Sequence, residues 1–325
     1  MRKQWRAPEA GRRLLGAYAS DYLARGDLRE STRALYAGLW RLHLAGTWQD
    51  VAVADASPTR VRQWHEHAEK TTGSTALAQA YRLLRAILNV AVRDGVIEMN
   101  PCRLRSAGAP KPARPSRSLT VSEVQALAEA VPTRYRVLIL VLAFGGLRFG
   151  EATALRRRDL GVDGSTVRVE RSVRYISGAW LVGPPKSEAG RRTVALPGSV
   201  AAALVDHLAQ FVPGADDALV FGTASGNFLA GSNFGRTFNR AVTACDLPPV
   251  RVHELRHTGA SLAAATGAST AELMHRLGHA SPSAALIYQH ATTNRDTEIA
   301  RALDELTIGG KVVPIRPSRE RKRIG

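Results

Sequence analysis

Residues 253–257 read His253-Glu254-Leu255-Arg256-His257, and the interpretation of this short run decides what kind of protein the chain is. In a helix, His253 and Arg256 stand at i, i+3 on one face, where two polar heads can meet one substrate. The same letters also fit H-E-x-x-H, in which two histidines hold zinc and the glutamate is a general base. That alternative lacks its third ligand at the usual protease spacing. Three residues past His257 stands Ala260, no histidine lies within ten, and Glu272 is fifteen residues on.

Working outward, other polar residues stand out against apolar surroundings. Upstream, Gly146-Leu147-Arg148-Phe149-Gly150-Glu151 puts an arginine at a helix start, directly after the apolar run Val137–Leu147. Taken alone, Arg148 and Glu151 read as a structural ion pair. Pro184-Pro185-Lys186-Ser187, followed by Gly190-Arg191-Arg192-Thr193, puts a lysine in a hairpin, where an exposed turn residue is the ordinary explanation. Downstream, Leu277-Gly278-His279 ends a helix, and Tyr288 lies among aliphatics as a core aromatic commonly does.

The ordered set Arg148, Lys186, His253-x-x-Arg256, His279 and Tyr288 resembles the catalytic constellation of the tyrosine recombinases, the phage-integrase family of site-specific DNA recombinases. The resemblance covers roughly 119–306 and implies an α+β catalytic domain. The first hundred residues are similar in helical content to that family's core-binding domain, a clamp on DNA. It further implies a homotetramer on a synapse of two double-stranded recombination sites, with room for an accessory directionality factor. No cofactor, metal or ATP is expected, and the setting is cytoplasmic, on the nucleoid. By the same resemblance, Tyr288 is the nucleophile, Lys186 protonates the leaving 5′-oxygen, and a segment past Tyr288 docks on a neighbouring protomer.

The chemistry of these side chains suits that assignment. Negative charge grows on the non-bridging oxygens of a phosphodiester as phosphorus is attacked, and two guanidiniums can bind it in fixed geometry. Lysine lacks the planar fork. His253 and His279 can hydrogen-bond the phosphoryl group or handle the tyrosine proton, and Glu151 can orient Arg148. A free phenol has a pKa of about 10, so ionising it at neutral pH costs about 4 kcal/mol, a cost that a cationic cluster lowers.

Composition bounds the same picture. The chain has 325 residues, a hydrophobic content of 45% and a formal net charge of +17, so it can build cores and attract a polyanion. Residues 1–105 hold 17 basic and 10 acidic side chains, 106–118 three and none, 119–310 19 and 17, and 311–325 six and one. The excess therefore sits outside the segment that carries the chemistry. Two cysteines, Cys102 and Cys245, leave no disulfide framework and point to a reducing compartment. No apolar run reaches the ~20 residues of a membrane span, and none resembles a signal peptide.

Periodicity predicts a mainly α protein with a small antiparallel sheet. Apolar spacing marks helices around 14–22, from 31 to about 42, from 57 to 69 and from 74 to 93, with 45–56 irregular. Residues 106–118 form a basic, proline-rich linker between a helical bundle (1–105) and the catalytic domain (119–310). Thr120-Val-Ser-Glu123 is a capping box opening helices at 121–131 and 134–145, with another from about 149. Alternation over 165–197 predicts the sheet, with turns near Ser177-Gly178 and Glu188–Gly190, and helices then run from Ser199 to Leu306. A basic arm, 311–325, suits contact with DNA backbone.

Three other functions compete. The zinc protease leaves Arg148, Lys186 and Tyr288 without roles. A DNA-binding protein without catalysis should lack one of the signature residues, and none is missing. A type IB topoisomerase shares the chemistry but relaxes DNA without joining two sites. The bundle begins within about a dozen residues, where many phage integrases carry a further arm-binding domain; two readings stay open, a simpler recombinase or a shortened N-terminus.

Overall fold

The computed structural model describes residues 10–109, 117–176, 178–185, 187–282 and 286. Lys186, Tyr288, the turn residue Ser177, most of the linker, the helix expected over 294–306 and the basic arm lie outside the described residues. The described chain groups into two compact units. One holds residues up to 109 together with those of 174–181, and the other runs from 117 to 173 and onward from 182.

In the first unit the helices are α1 (Leu15–Ala24), α2 (Glu30–Leu39), α3 (Ala45–Trp48), α4 (Pro58–Glu69) and α5 (Ser74–Arg93). Ser57 caps α4 by accepting from the Arg60 N–H at 3.2 Å, with Pro58 at the first helical position. One face of α5 buries Ala80, Leu83, Leu84, Ile87, Leu88 and Ala91, the stripe its spacing predicts. The stretch expected to be irregular after residue 44 instead opens with α3. A π-helical turn, Trp40–Leu44, joins α2 to it and brings Trp48 into the core beside Trp64, ring centroids 6.2 Å apart. Aromatic burial outweighs the weak helix propensity of Gly46 there.

The second unit is built on α7 (Thr133–Phe144), packed by α6 (Val121–Ala130), α9 (Gly198–Phe211) and α11 (Val252–Ala265). Around them lie α8 (Phe149–Ala152), α10 (Gly231–Ala244) and α12 (Thr270–Leu277). The capping box at Thr120 is present: its hydroxyl accepts from the Glu123 N–H at 3.2 Å, and Glu123 accepts from the Thr120 N–H at 2.8 Å. Among the described residues four strands pair in twos: in the second unit β1 (Thr166–Val169) with β4 (Arg192–Ala195), antiparallel, and separately β2 (Ser172–Ile176) with β3 (Ala179–Gly183), most of whose residues belong to the first unit. Helix is not continuous after Ser199. Residues 212–230 instead form turns and isolated bridges such as Gly222 with Phe228, as Pro213, Gly214 and Gly226 dictate.

The α7–α11 contact fixes the site, because Arg148 follows α7 and Arg256 rides on α11. It is close enough to demand a glycine. A Cβ on Gly259 would sit 2.1 Å from the Ala143 carbonyl oxygen. Gly259→Ala is therefore expected to lower stability by about 1–3 kcal/mol, read as a lower denaturant midpoint. An unchanged midpoint would show that the two helices can part freely.

Candidate active site

Arg148 reaches its place through a turn. Gly146 adopts φ +64° after α7, a conformation that favours glycine, and a Cβ there would press on Leu277 at 2.9 Å. Arg148 then caps α8, and Glu151, buried one turn on, accepts from the Arg148 backbone N–H at 2.9 Å and its Nη1 at 2.7 Å. The expected Arg148–Glu151 pair is thus present, with the carboxylate beneath and the guanidinium still about one-third exposed (34%).

Arg256 is buried on α11 and donates from Nη1 to the Gly146 carbonyl at 2.7 Å and from Nη2 to that of Leu277. Its Nη1 also lies 3.9 Å from Glu151 Oε2. The two arginines, 108 residues apart in sequence, therefore share one carboxylate. Burial pushes the Glu151 carboxyl up. Arg192, the Arg148 N–H and the Arg148 guanidinium outweigh that and hold it below the usual carboxylate range.

The two histidines complete one cluster. His253 and His257 stack edge to face on α11, ring centroids 4.9 Å apart. Burial, then His257, Arg256 and Arg148, lower the basicity of His253. His279 follows α12, which ends at Gly278 with φ +63°. Burial, and then Arg256, Arg148, Arg192 and His257, push its pKa down to about 4. Both His253 and His279 are thus neutral at pH 7. Among the described residues, His279 Nδ1 is buried and has no hydrogen-bond partner.

Glu254 has a different task. It accepts from the backbone N–H groups of Arg251 at 2.6 Å and Arg117 at 3.3 Å, one on each oxygen, capping α11. Among the described residues no cluster of three histidine, cysteine, aspartate or glutamate side chains could hold a metal ion. His253-Glu254-Leu255-Arg256-His257 thus spends its glutamate on the helix start.

Sequence reasoning missed Arg192 and the partnership of His257 with His253. Arg192 occupies an inward position of β4 and donates from Nη2 to Glu151 Oε2 at 3.1 Å. Its signal was an arginine in an alternating strand, but Arg191 stands beside it and sequence cannot choose between them.

A sequence model described as "Phage integrase family" matches residues 117–295, more than half of the chain. The chain belongs to the phage integrase family. It is a tyrosine-type site-specific recombinase. A Mycobacterium tuberculosis protein named as a prophage phiRv2 integrase is 39% identical over 294 residues, covering 90% of this chain and 78% of the relative. The integrase of Mycobacterium phage L5 is 36% identical over 296 residues, covering 90% and 79%. The fold is also that of the Tn1549 transposon integrase solved with transposon right-end DNA, at 18% identity and a TM-score of 0.76, covering 90% of this chain and 100% of that one.

Among the described residues no helix is long and apolar enough to cross a membrane.

Proposed function

We propose that this recombinase cuts and rejoins double-stranded DNA through a 3′-phosphotyrosine bond at Tyr288, for integration or excision of a phage or other mobile element. The supporting observation is the shared Glu151. It holds Arg148 and lies near Arg256 while neutral His253 and His279 stand in the same field. Such a cluster carries more positive than negative charge, and a phosphodiester supplies the missing anion.

In the proposed step, the Tyr288 oxygen attacks phosphorus, its phenolic proton passes to a neutral imidazole, and the phosphorus–O5′ bond breaks. Arg148 and Arg256 take the charge that grows on the non-bridging oxygens. Lys186 delivers a proton to the departing 5′-oxygen. Attack by a 5′-hydroxyl reverses these events, so the ester keeps the energy needed for rejoining and no ATP is consumed.

The domain reading belongs to the same proposal. Residues 1–105 grip the DNA backbone, 106–118 link, 119–310 catalyse, and the basic 311–325 arm adds phosphate contacts. Four protomers assemble on two sites, with helix 294–306 docking between neighbours, and an accessory factor sets direction. The integrase named for a mycobacteriophage and the transposon integrase bound to transposon-end DNA support a mobile-element role. The protein would act in the cytoplasm, on the nucleoid.

The test is to trap the covalent complex on genomic DNA in cells, sequence the attached ends, and rebuild them as nicked duplexes in vitro. We expect an SDS-stable adduct that maps to Tyr288 and forms equally well in EDTA. A requirement for Mg²⁺, or an adduct on another residue, would sink this mechanism. A chelator-sensitive protein carrying one zinc per chain would restore the H-E-x-x-H alternative. Exchange of partners between two fragments separates a recombinase from a topoisomerase.

A further inference from the structure

We infer that Arg192 is a positioning residue of the recombinase site, tying the carboxylate beneath Arg148 to the turn that follows residue 186 and to the end of α12 that delivers His279. The inference rests on the proposed roles of Arg148, His279 and Tyr288, and assigns Arg192 no contact with DNA.

Along β4 the burial alternates, with Arg192 and Val194 inward and Thr193 and Ala195 outward. A hydrophobic residue is the usual choice for such an inward position, whereas arginine stays charged whatever its surroundings. Its burial is tolerable because each nitrogen has a partner. Nη2 donates to Glu151 Oε2 at 3.1 Å, Nη1 to the Gly190 carbonyl at 3.0 Å and Nε to the Arg276 carbonyl at 2.7 Å. Arg191 points outward and pairs with Glu188 at 3.5 Å.

Those three acceptors lie on three different pieces of the site. Glu151 holds Arg148. Gly190 closes the turn Glu188–Gly190, shortly after residue 186. Arg276 is in the last turn of α12, two residues before Gly278. The fit is tight there: a Cβ on Gly278 would lie 2.8 Å from the Ala189 carbonyl and 3.1 Å from Arg192 Nη1. One guanidinium thus sets three distances that a side chain of another shape cannot set together.

Its charge has a second consequence. Three arginines face the Glu151 carboxylate: Arg192 from β4, Arg148 at the start of α8 and Arg256 from α11. His253 and His279 lie in the same field and are neutral. Burial favours the protonated acid, and Arg192 is foremost among the groups that oppose it. Without Arg192 the Glu151 pKa rises, so the carboxylate takes a proton earlier as pH falls, and Arg148 loses its anchor.

The experiment measures single-turnover adduct formation at saturating DNA across the acid limb, with thermal unfolding and DNA affinity alongside. For Arg192→Gln we expect unchanged affinity, a rate lower on the order of 100-fold and an acid limb displaced to higher pH. Arg192→Lys keeps the charge without the fork, so its acid limb should return toward wild type while its rate stays about 10-fold low. A purely structural role would lower the rate without moving the limb, and that result would overturn the inference, as would wild-type rates in both variants. If the glutamine variant does not fold, the lysine variant decides. A rate about 10-fold low at wild-type DNA affinity and thermal stability supports the inference, whereas a rate loss matched by a loss of stability, or a wild-type rate, overturns it. Wild-type protein and Tyr288→Phe run in parallel. Failure of the wild type to form an adduct at Tyr288 removes the proposed function as well, whereas failure confined to the Arg192 variants removes only this inference.

Discussion

Tyr288→Phe is expected to bind recombination-site DNA as tightly as the wild type and to form no covalent adduct. The change deletes one oxygen and keeps the ring, so packing and phosphate contacts elsewhere are preserved. What is lost is the only group proposed to bond with phosphorus. Deleting a nucleophile that acts with its partners as a unit costs about 10⁶-fold elsewhere, which would put the adduct below detection. Ionising a free phenol at neutral pH costs about 4 kcal/mol, and in the proposed mechanism the cluster of Arg148, Arg256, His253 and His279 offsets it. Water has the same cations to use but no tether to hold it in line. The measurement is an SDS gel of nicked duplex with each protein, beside a binding titration. A persistent adduct in Tyr288→Phe would place the nucleophile elsewhere. Weakened DNA affinity with normal adduct formation would make Tyr288 a binding residue.

Much of this arrangement was legible before any coordinates. The α5 stripe, the Thr120–Glu123 box and the Ser57-Pro58 start are local patterns, and local patterns survive folding. The pairing of Arg148 with Glu151 is an i, i+3 relation that sequence shows directly. What sequence could not show is register. Arg191 and Arg192 are equivalent letters until β4 is laid against β1, with Arg192 opposite Val169, and only then does one of them turn toward Glu151. Nor could it show that Glu254, the fulcrum of the zinc alternative, is engaged by two backbone N–H groups, one from 137 residues away. The α3 helix was missed because a π-turn and the burial of Trp48 are tertiary effects. Within the helical pattern after Ser199 the stretch 212–230 is irregular, as Pro213 and several glycines dictate. The proposed roles of Lys186 and Tyr288 rest on the resemblance to the tyrosine recombinases.

Arg256→Lys should be the most damaging change among the described residues, for two separable reasons. The first is catalytic. A guanidinium offers parallel donors at fixed angles, and losing one preorganised donor to a developing charge costs about 10²–10³-fold in rate. A lysine ammonium in this position would also be desolvated beside Arg148 and Arg192, which favours its neutral form and removes the charge altogether. The second is structural. Arg256 Nη1 donates to the Gly146 carbonyl at 2.7 Å and Nη2 to that of Leu277, joining the turn before Arg148 to the helix end before His279. Lysine cannot span both, and each buried carbonyl left without a donor costs about 1–3 kcal/mol. The two effects can be told apart by measuring single-turnover cleavage well below the variant's melting temperature. There a folded Arg256→Lys should still be slow by about 10²–10³-fold. Arg148→Lys, whose side chain is one-third exposed and bonds no buried carbonyl among the described residues, should lose comparable rate with less stability. If Arg256→Lys were less stable yet cleaved at the wild-type rate once folded, Arg256 would be a strut between two turns, and the phosphate would have to rest on Arg148 alone.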